Sequence, residues 1–144
     1  MYNLIFSSFR KRKTFLNTSF KDGTIDCLVS DHIPQDEESK KLEFDLADFG
    51  SSNQQTVYSV LYEVFGDEAS HYFPLLTSNP RRLLNLEIPS IQEGKEACLT
   101  LFNSDAWHFN SSTNKSKSVA SPLFGRELKG RIVGIVNQGQ LILN

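Results

Sequence analysis

The sequence predicts an α+β fold: an antiparallel sheet with one main amphipathic helix, about 53–65, and a C-terminal β-hairpin or small barrel. Three observations predict it. In SSNQQTVYSVLYEVFG, Val57, Val60, Leu61, Val64 and Phe65 recur at the spacing of a single helical stripe. Near the C-terminus, RIVGIV and QLIL are β-branched or aliphatic runs separated by NQG, a hairpin signature. Ahead of the helix, LEFDLADF alternates apolar and acidic residues with a period of two, the pattern of a half-buried strand.

Taken in order, the opening segment NLIFSSFRKRKTFLNTSF carries Phe throughout and no Gly or Pro, and reads as strands at 2–9 and 14–20 joined at a basic cluster. Lys21-Asp22-Gly23 marks a turn, and TIDCLVSDHI is a third strand. IPQDEESKK is a charged surface loop, and LEFDLADF follows, with Leu42, Phe44 and Leu46 on one face and Glu43 and Asp45 on the other. Ser52 and Gln55 have the spacing of a capping box for the helix, and Gly66 suits its end. DEASHYFPLL and NPRRLLN read as short helical turns, the second with Asn79 as cap and Pro80 first in the helix. LEIPSI and EACLTLF are weaker strand candidates, the second equally readable as helix, and the polar stretch 110–122 is a long loop.

The 144 residues fit a single domain, 1–144, within which 95–144 is a candidate β subdomain. A composition of 39% hydrophobic and 22% charged residues is that of an ordered globular chain. No apolar run approaches the roughly 18–20 residues that span a bilayer, and the N-terminal basic cluster follows rather than precedes its apolar stretch. A cytoplasmic protein with no membrane partner is the expectation, and Cys27 and Cys98 read as reduced, buried thiols.

A net charge of −2 hides a segregation. Residues 1–21 carry five cations and no acid, whereas 22–49 carry nine acids against Lys40 and Lys41. Arg10, Lys11, Arg12 and Lys13, flanked by Phe9 and Phe15, form a candidate contact for nucleic acid or an acidic partner. Trp107 and Phe109 share a strand face, either as core aromatics or as a stacking platform. Ser30-Asp31-His32 holds triad residue types, but in a strand Asp31 would point away from the other two. Cys27 or Cys98 with His108 as base makes a candidate nucleophile pair, and a pocket near Cys98 and His108 defines the enzyme alternative. There is no phosphate loop and no metal-binding spacing, so neither a cofactor nor a metal is expected.

Gly130, Arg131, Ile132, Val133, Gly134, Ile135, Gly139, Leu141 and Leu143 follow a GRIVGI-then-GxLxL pattern. That stretch resembles the C-terminal SH3-like domain of biotin–protein ligases, over at most the last forty or so residues. No counterpart of the family's catalytic glycine/arginine loop or of its biotin-contacting lysine motif is present. The resemblance implies an accessory β-module to which no catalytic residue carries over. The function expected from sequence is therefore a non-catalytic protein-binding or regulatory module. Its partner would be another protein, docking along the edge strand Gln140, Leu141, Ile142 and Leu143.

Overall fold

The structure, a computed structural model, describes residues 18–144. Its chemistry is α+β. A long helical stretch packs on a three-stranded antiparallel sheet in the order β1-β2-β3. The helical stretch comprises a 3-10 turn at Gln54–Thr56, the helix α2 at Val57–Phe65, a 3-10 segment at Gly66–Leu75 and the short helix α3 at Ser78–Leu83. A one-turn helix, α1, spans Glu37–Lys40. The strands are β1, Leu99–His108; β2, Glu127–Asn137; and β3, Gln140–Leu143. No helix among the described residues is long and apolar enough to cross a membrane.

The C-terminal hairpin forms because Gln138 and Gly139 both take positive φ, 49° and 73°, the backbone of a two-residue turn whose twist matches its strands. Val136 pairs with Leu141 and Gly134 with Leu143. Gly134 has to be glycine: a Cβ there would lie 2.8 Å from the Ile142 carbonyl oxygen. Along β1 and β2 the register slips between Leu101 and Phe102 and again between Asn103 and Ala106, so the pair bends. Among the described residues the sheet keeps two edges, β1 and β3, and does not close into the expected barrel.

Helix α2 lies between two small cores. Leu61 joins Ala69, Tyr72 and Leu75 on one side, with Phe20, Leu28 and Phe65 packed around them. Val60 faces the other core, formed by Trp107, Phe109, Leu123 and Leu128. The seam between helix and sheet is polar and fully used. The buried Ser59 hydroxyl donates to the Gly130 carbonyl, and the Trp107 indole N–H reaches both Ser59 Oγ and Gly130 O at 3.1 Å. Gly130, at φ 82°, allows that approach, since a Cβ would stand 2.9 Å from Tyr58.

Several expected strands are absent. The described end of the segment expected as a strand at 14–20 begins a helical turn at 18–21. Residues 24–36 join no helix or sheet among the described residues, and Asp31 within them takes φ 46°; LEIPSI is irregular. LEFDLADF is a turn-rich loop: Leu46 and Ala47 N–H both donate to Glu43 O, and Asp48 N–H donates to Ser39 O. Local bonds there take the amides that a ladder would need. Of the expected buried thiols, Cys27 is half-buried and Cys98 is exposed, and both are free.

Candidate active site

Three stretches far apart in sequence meet around residues 30–35. Ile33 N–H donates to Ser51 O at 3.0 Å, and Ser52 N–H donates to Ala120 O at 2.8 Å. The Gln35 side chain donates to Phe49 O at 2.9 Å, while the Ser118 hydroxyl donates to Gln35 O at 2.5 Å. Gly50, at φ 128°, makes the crossing feasible: a Cβ would sit 2.5 Å from Ile33 O. The polar 110–122 segment is thereby tied down. The Gln55 amide donates to Thr113 O at 2.6 Å and its oxygen accepts from Lys115 N–H at 2.8 Å.

Within this crossing the turn Ser30-Asp31-His32 has unusual geometry. Asp31 takes φ 46°, the left-handed region, so the expected strand alternation ends here. Non-glycine residues hold such angles where the surroundings impose them, and functional sites are enriched in them. The His32 ring is fixed by the helical stretch that follows. Its Nδ1 accepts from the Asn53 and Gln54 N–H groups at 3.1 and 3.2 Å. Both groups are first-turn amides, which helices leave without an internal partner. The imidazole therefore does the capping expected of Ser52 and Gln55. Ser52 is buried, and Gln55 spends its amide on the 113–115 loop.

The chemical consequence is a defined tautomer. With Nδ1 accepting, the neutral ring carries its proton on Nε2, leaving one N–H to donate outward. Asp31 beside it presents an exposed carboxylate, and its main-chain carbonyl accepts from the Asn53 side chain at 3.4 Å. A proton acceptor and a fixed donor thus adjoin on a rigid turn. Among the described residues, no three His, Cys, Asp or Glu side chains gather to hold a metal ion.

The other sequence candidates fall elsewhere. Arg10, Lys11, Arg12 and Lys13 lie outside the described residues. Trp107 and Phe109 are buried, at 8% and 1% exposure, so neither ring offers a face for stacking. Cys98 immediately precedes β1 and His108 ends it, so they lie about 30 Å apart at the rise of a strand and share no pocket. Cys98 Sγ is 4.0 Å from the Arg81 guanidinium, and His108 pairs with exposed Glu127 at 3.4 Å. Gln140, Leu141, Ile142 and Leu143 form the exposed edge strand β3. An open cleft of about 400 Å³ lies apart from the turn, with Lys21, Asp26, His71, Tyr72 and Asn79 among its lining.

No family model matches the chain. Individual relatives do. A dihydroorotase of Endomicrobium trichonymphae is 36% identical over 127 residues, covering 84% of this chain and 30% of the relative. The dihydroorotase of Chlorobaculum tepidum is 35% identical over 128 residues, 85% of this chain and 29% of the relative. That of Sulfolobus acidocaldarius is 31% identical over 135 residues, 90% and 33% respectively. This chain is similar to dihydroorotases. It spans about 30% of the length of the relatives it matches. The finding overturns the expectation of a non-catalytic protein-binding module built on an SH3-like barrel, because the relatives align over most of the chain and are named for an enzyme. The sequence shows Ser30-Asp31-His32 but not the geometry of that turn. The signal was the residue types alone, since the left-handed turn and the helix that grips His32 arise only in the fold.

Proposed function

We propose that this chain forms part of an enzyme acting on dihydroorotate, with the Asp31–His32 turn at its reacting face. The observation that carries the reading is the run of dihydroorotase relatives, at 31–36% identity over 84–90% of the chain. Dihydroorotate is a ring bearing amide groups and a carboxylate. The exposed Asp31 carboxylate is suited to accept a proton, and the outward Nε2–H of His32 to donate to a carbonyl or carboxylate oxygen. The left-handed backbone at Asp31 supports the assignment, because it aims that side chain at a cost the surrounding crossing sustains. Groups beyond this chain would complete the site, since the relatives are about three times as long as their aligned part.

The test is a chimera in which this chain replaces the matching segment of the Chlorobaculum tepidum enzyme. Turnover of dihydroorotate is expected, and Asp31→Asn should lower kcat about 10²–10⁴-fold. A soluble chimera without turnover, or an Asp31→Asn variant with undiminished kcat, would sink the assignment.

A further inference from the structure

Between the 110–122 loop and β2 lies a cleft of about 100 Å³, lined by Lys115 of the loop and Arg131 of the strand, with no Asp or Glu in its lining. We propose that this cleft binds a phosphate group, held between the Lys115 ammonium and the Arg131 guanidinium. The site is independent of the dihydroorotate reading, because it uses neither Asp31 nor His32.

The other polar groups around the cleft are already engaged. The Ser112 hydroxyl donates to Asn110 Oδ1 and the Thr113 hydroxyl to His108 O, both at 2.7 Å. The Trp107 N–H is spent on Ser59 and Gly130. Gln55 divides its side chain between Thr113 O and Lys115 N–H. The two cations differ. Among the described residues the Lys115 side chain has no hydrogen bond or ion pair, and Arg131 has one long bond, 3.4 Å to Asn144 O.

Charge, geometry and size select the ligand. A phosphate carries between one and two negative charges at neutral pH, which two cations can match. The guanidinium fork fits two phosphate oxygens, and the ammonium supplies a point charge for a third. Buried Trp107 and the side chain of Ile132 wall the cleft, so the field of the two cations is screened less there than on an open surface. The space suits a group of a few heavy atoms rather than a drug-sized molecule, whose pockets run to about 300–1,000 Å³.

Both cations are carried on fixed backbone. Arg131 sits in β2 opposite Asn103 of β1. Lys115 follows Asn114, whose side chain donates to Ser116 O and Ser118 O at 3.0 Å and folds the loop on itself. A bound phosphate would tie this loop to the sheet, and Gln55 would carry the tie to the start of the helical stretch.

The test is an NMR titration of the 144-residue chain with sodium phosphate at constant ionic strength. Amides of 112–115 and 131–132 should shift on one saturable curve whose midpoint rises with added salt. Lys115→Ala should raise the half-saturating concentration at least about tenfold, and Arg131→Lys, which keeps the charge but loses the fork, about threefold or more. Lys117→Ala, at an exposed loop cation outside the cleft, should change it by less than about twofold. Glycerol phosphate in a parallel titration separates the two sources. Tighter binding than inorganic phosphate identifies the phosphate of a larger molecule, and equal or weaker binding identifies the free ion. A chain extended by two glycines after Asn144 should titrate identically. Binding confined to that extended chain would mean that the terminal carboxylate occupies Arg131, and would overturn the proposal. So would shifts that never saturate, or a Lys117→Ala loss equal to that of Lys115→Ala, since either describes diffuse attraction by surface charge.

Discussion

The two halves of this molecule make opposite use of similar sequence patterns. In α2 and the β1–β2 pair, apolar periodicity becomes packed structure: α2 joins two cores, and β2–β3 pair through a two-residue turn, although Leu141, Ile142 and Leu143 stay exposed. Between residues 24 and 49, equally regular patterns produce extended or looping chain, with Val29, Leu42, Phe44, Leu46 and Phe49 exposed. The difference lies in partners. A helix satisfies its own amides and needs only a surface to lie on, whereas a strand is stable only beside another strand. Period-two patterning states which faces a strand would bury, but it does not supply the neighbour.

The sharpest way to break this comparison is to cut one aromatic from each half. Trp107→Ala should destabilise the fold by about 3–5 kcal/mol, removing a buried ring and the N–H that reaches Ser59 and Gly130. Phe44→Ala, at a side chain 68% exposed, should stay within about 0.5 kcal/mol in the same denaturant titration. Comparable losses would mean that the 42–49 loop is packed after all.

His32 is the bolt between the halves, and its loss should have an intermediate effect. His32→Ala leaves the Asn53 and Gln54 N–H groups without their acceptor and should cost about 1 kcal/mol, the scale of a lost helix cap. Amide exchange at 53 and 54 should accelerate while that in β2 stays unchanged. Uniform acceleration would show that the ring supports the whole fold rather than one helix end.

The smallest effect concerns α1. Asp36 caps it by accepting from Ser39 N–H at 2.7 Å, and that backbone bond, followed by the Ser39 side chain, holds the carboxyl below its ordinary pKa. A carboxyl lowered in the folded state adds stability that is complete above its unfolded pKa. That contribution fades as pH falls through its own lower value. Carboxyl NMR titration should therefore place Asp36 below the ordinary Asp value. In Asp36→Asn the acid-side fraying of residues 37–40 should lose part of its pH dependence, the Glu37–Lys41 pair retaining the rest. An Asp36 that titrates at the ordinary value would remove the cap.

Much of the C-terminal half was legible in advance. The helix Val57–Phe65, the Gly139 turn and the paired placement of Trp107 and Phe109 are local patterns whose partners lie within the chain, although Val64 of the expected stripe is exposed and Ser59 is buried in its place. The candidate site was legible only as residue types. Ser30-Asp31-His32 signalled chemistry, but strand alternation separated Asp31 from its neighbours, and nothing nearby in sequence indicated that a helix 21 residues away would grip His32. The capping box at Ser52 and Gln55 failed for a related reason. A distant imidazole and a distant loop competed successfully for the same groups.

By itself the sequence determined an α+β chain with one main helix and a C-terminal hairpin, because periodicity and turn chemistry act over a few residues. Only the tertiary structure decided the rest. It placed His32 on the first turn of the helix, set Asp31 into the left-handed region, and left residues 24–33 without a sheet among the described residues. Those outcomes depend on which distant groups meet, and hydrogen-bond donors and acceptors find partners by proximity in space rather than in sequence.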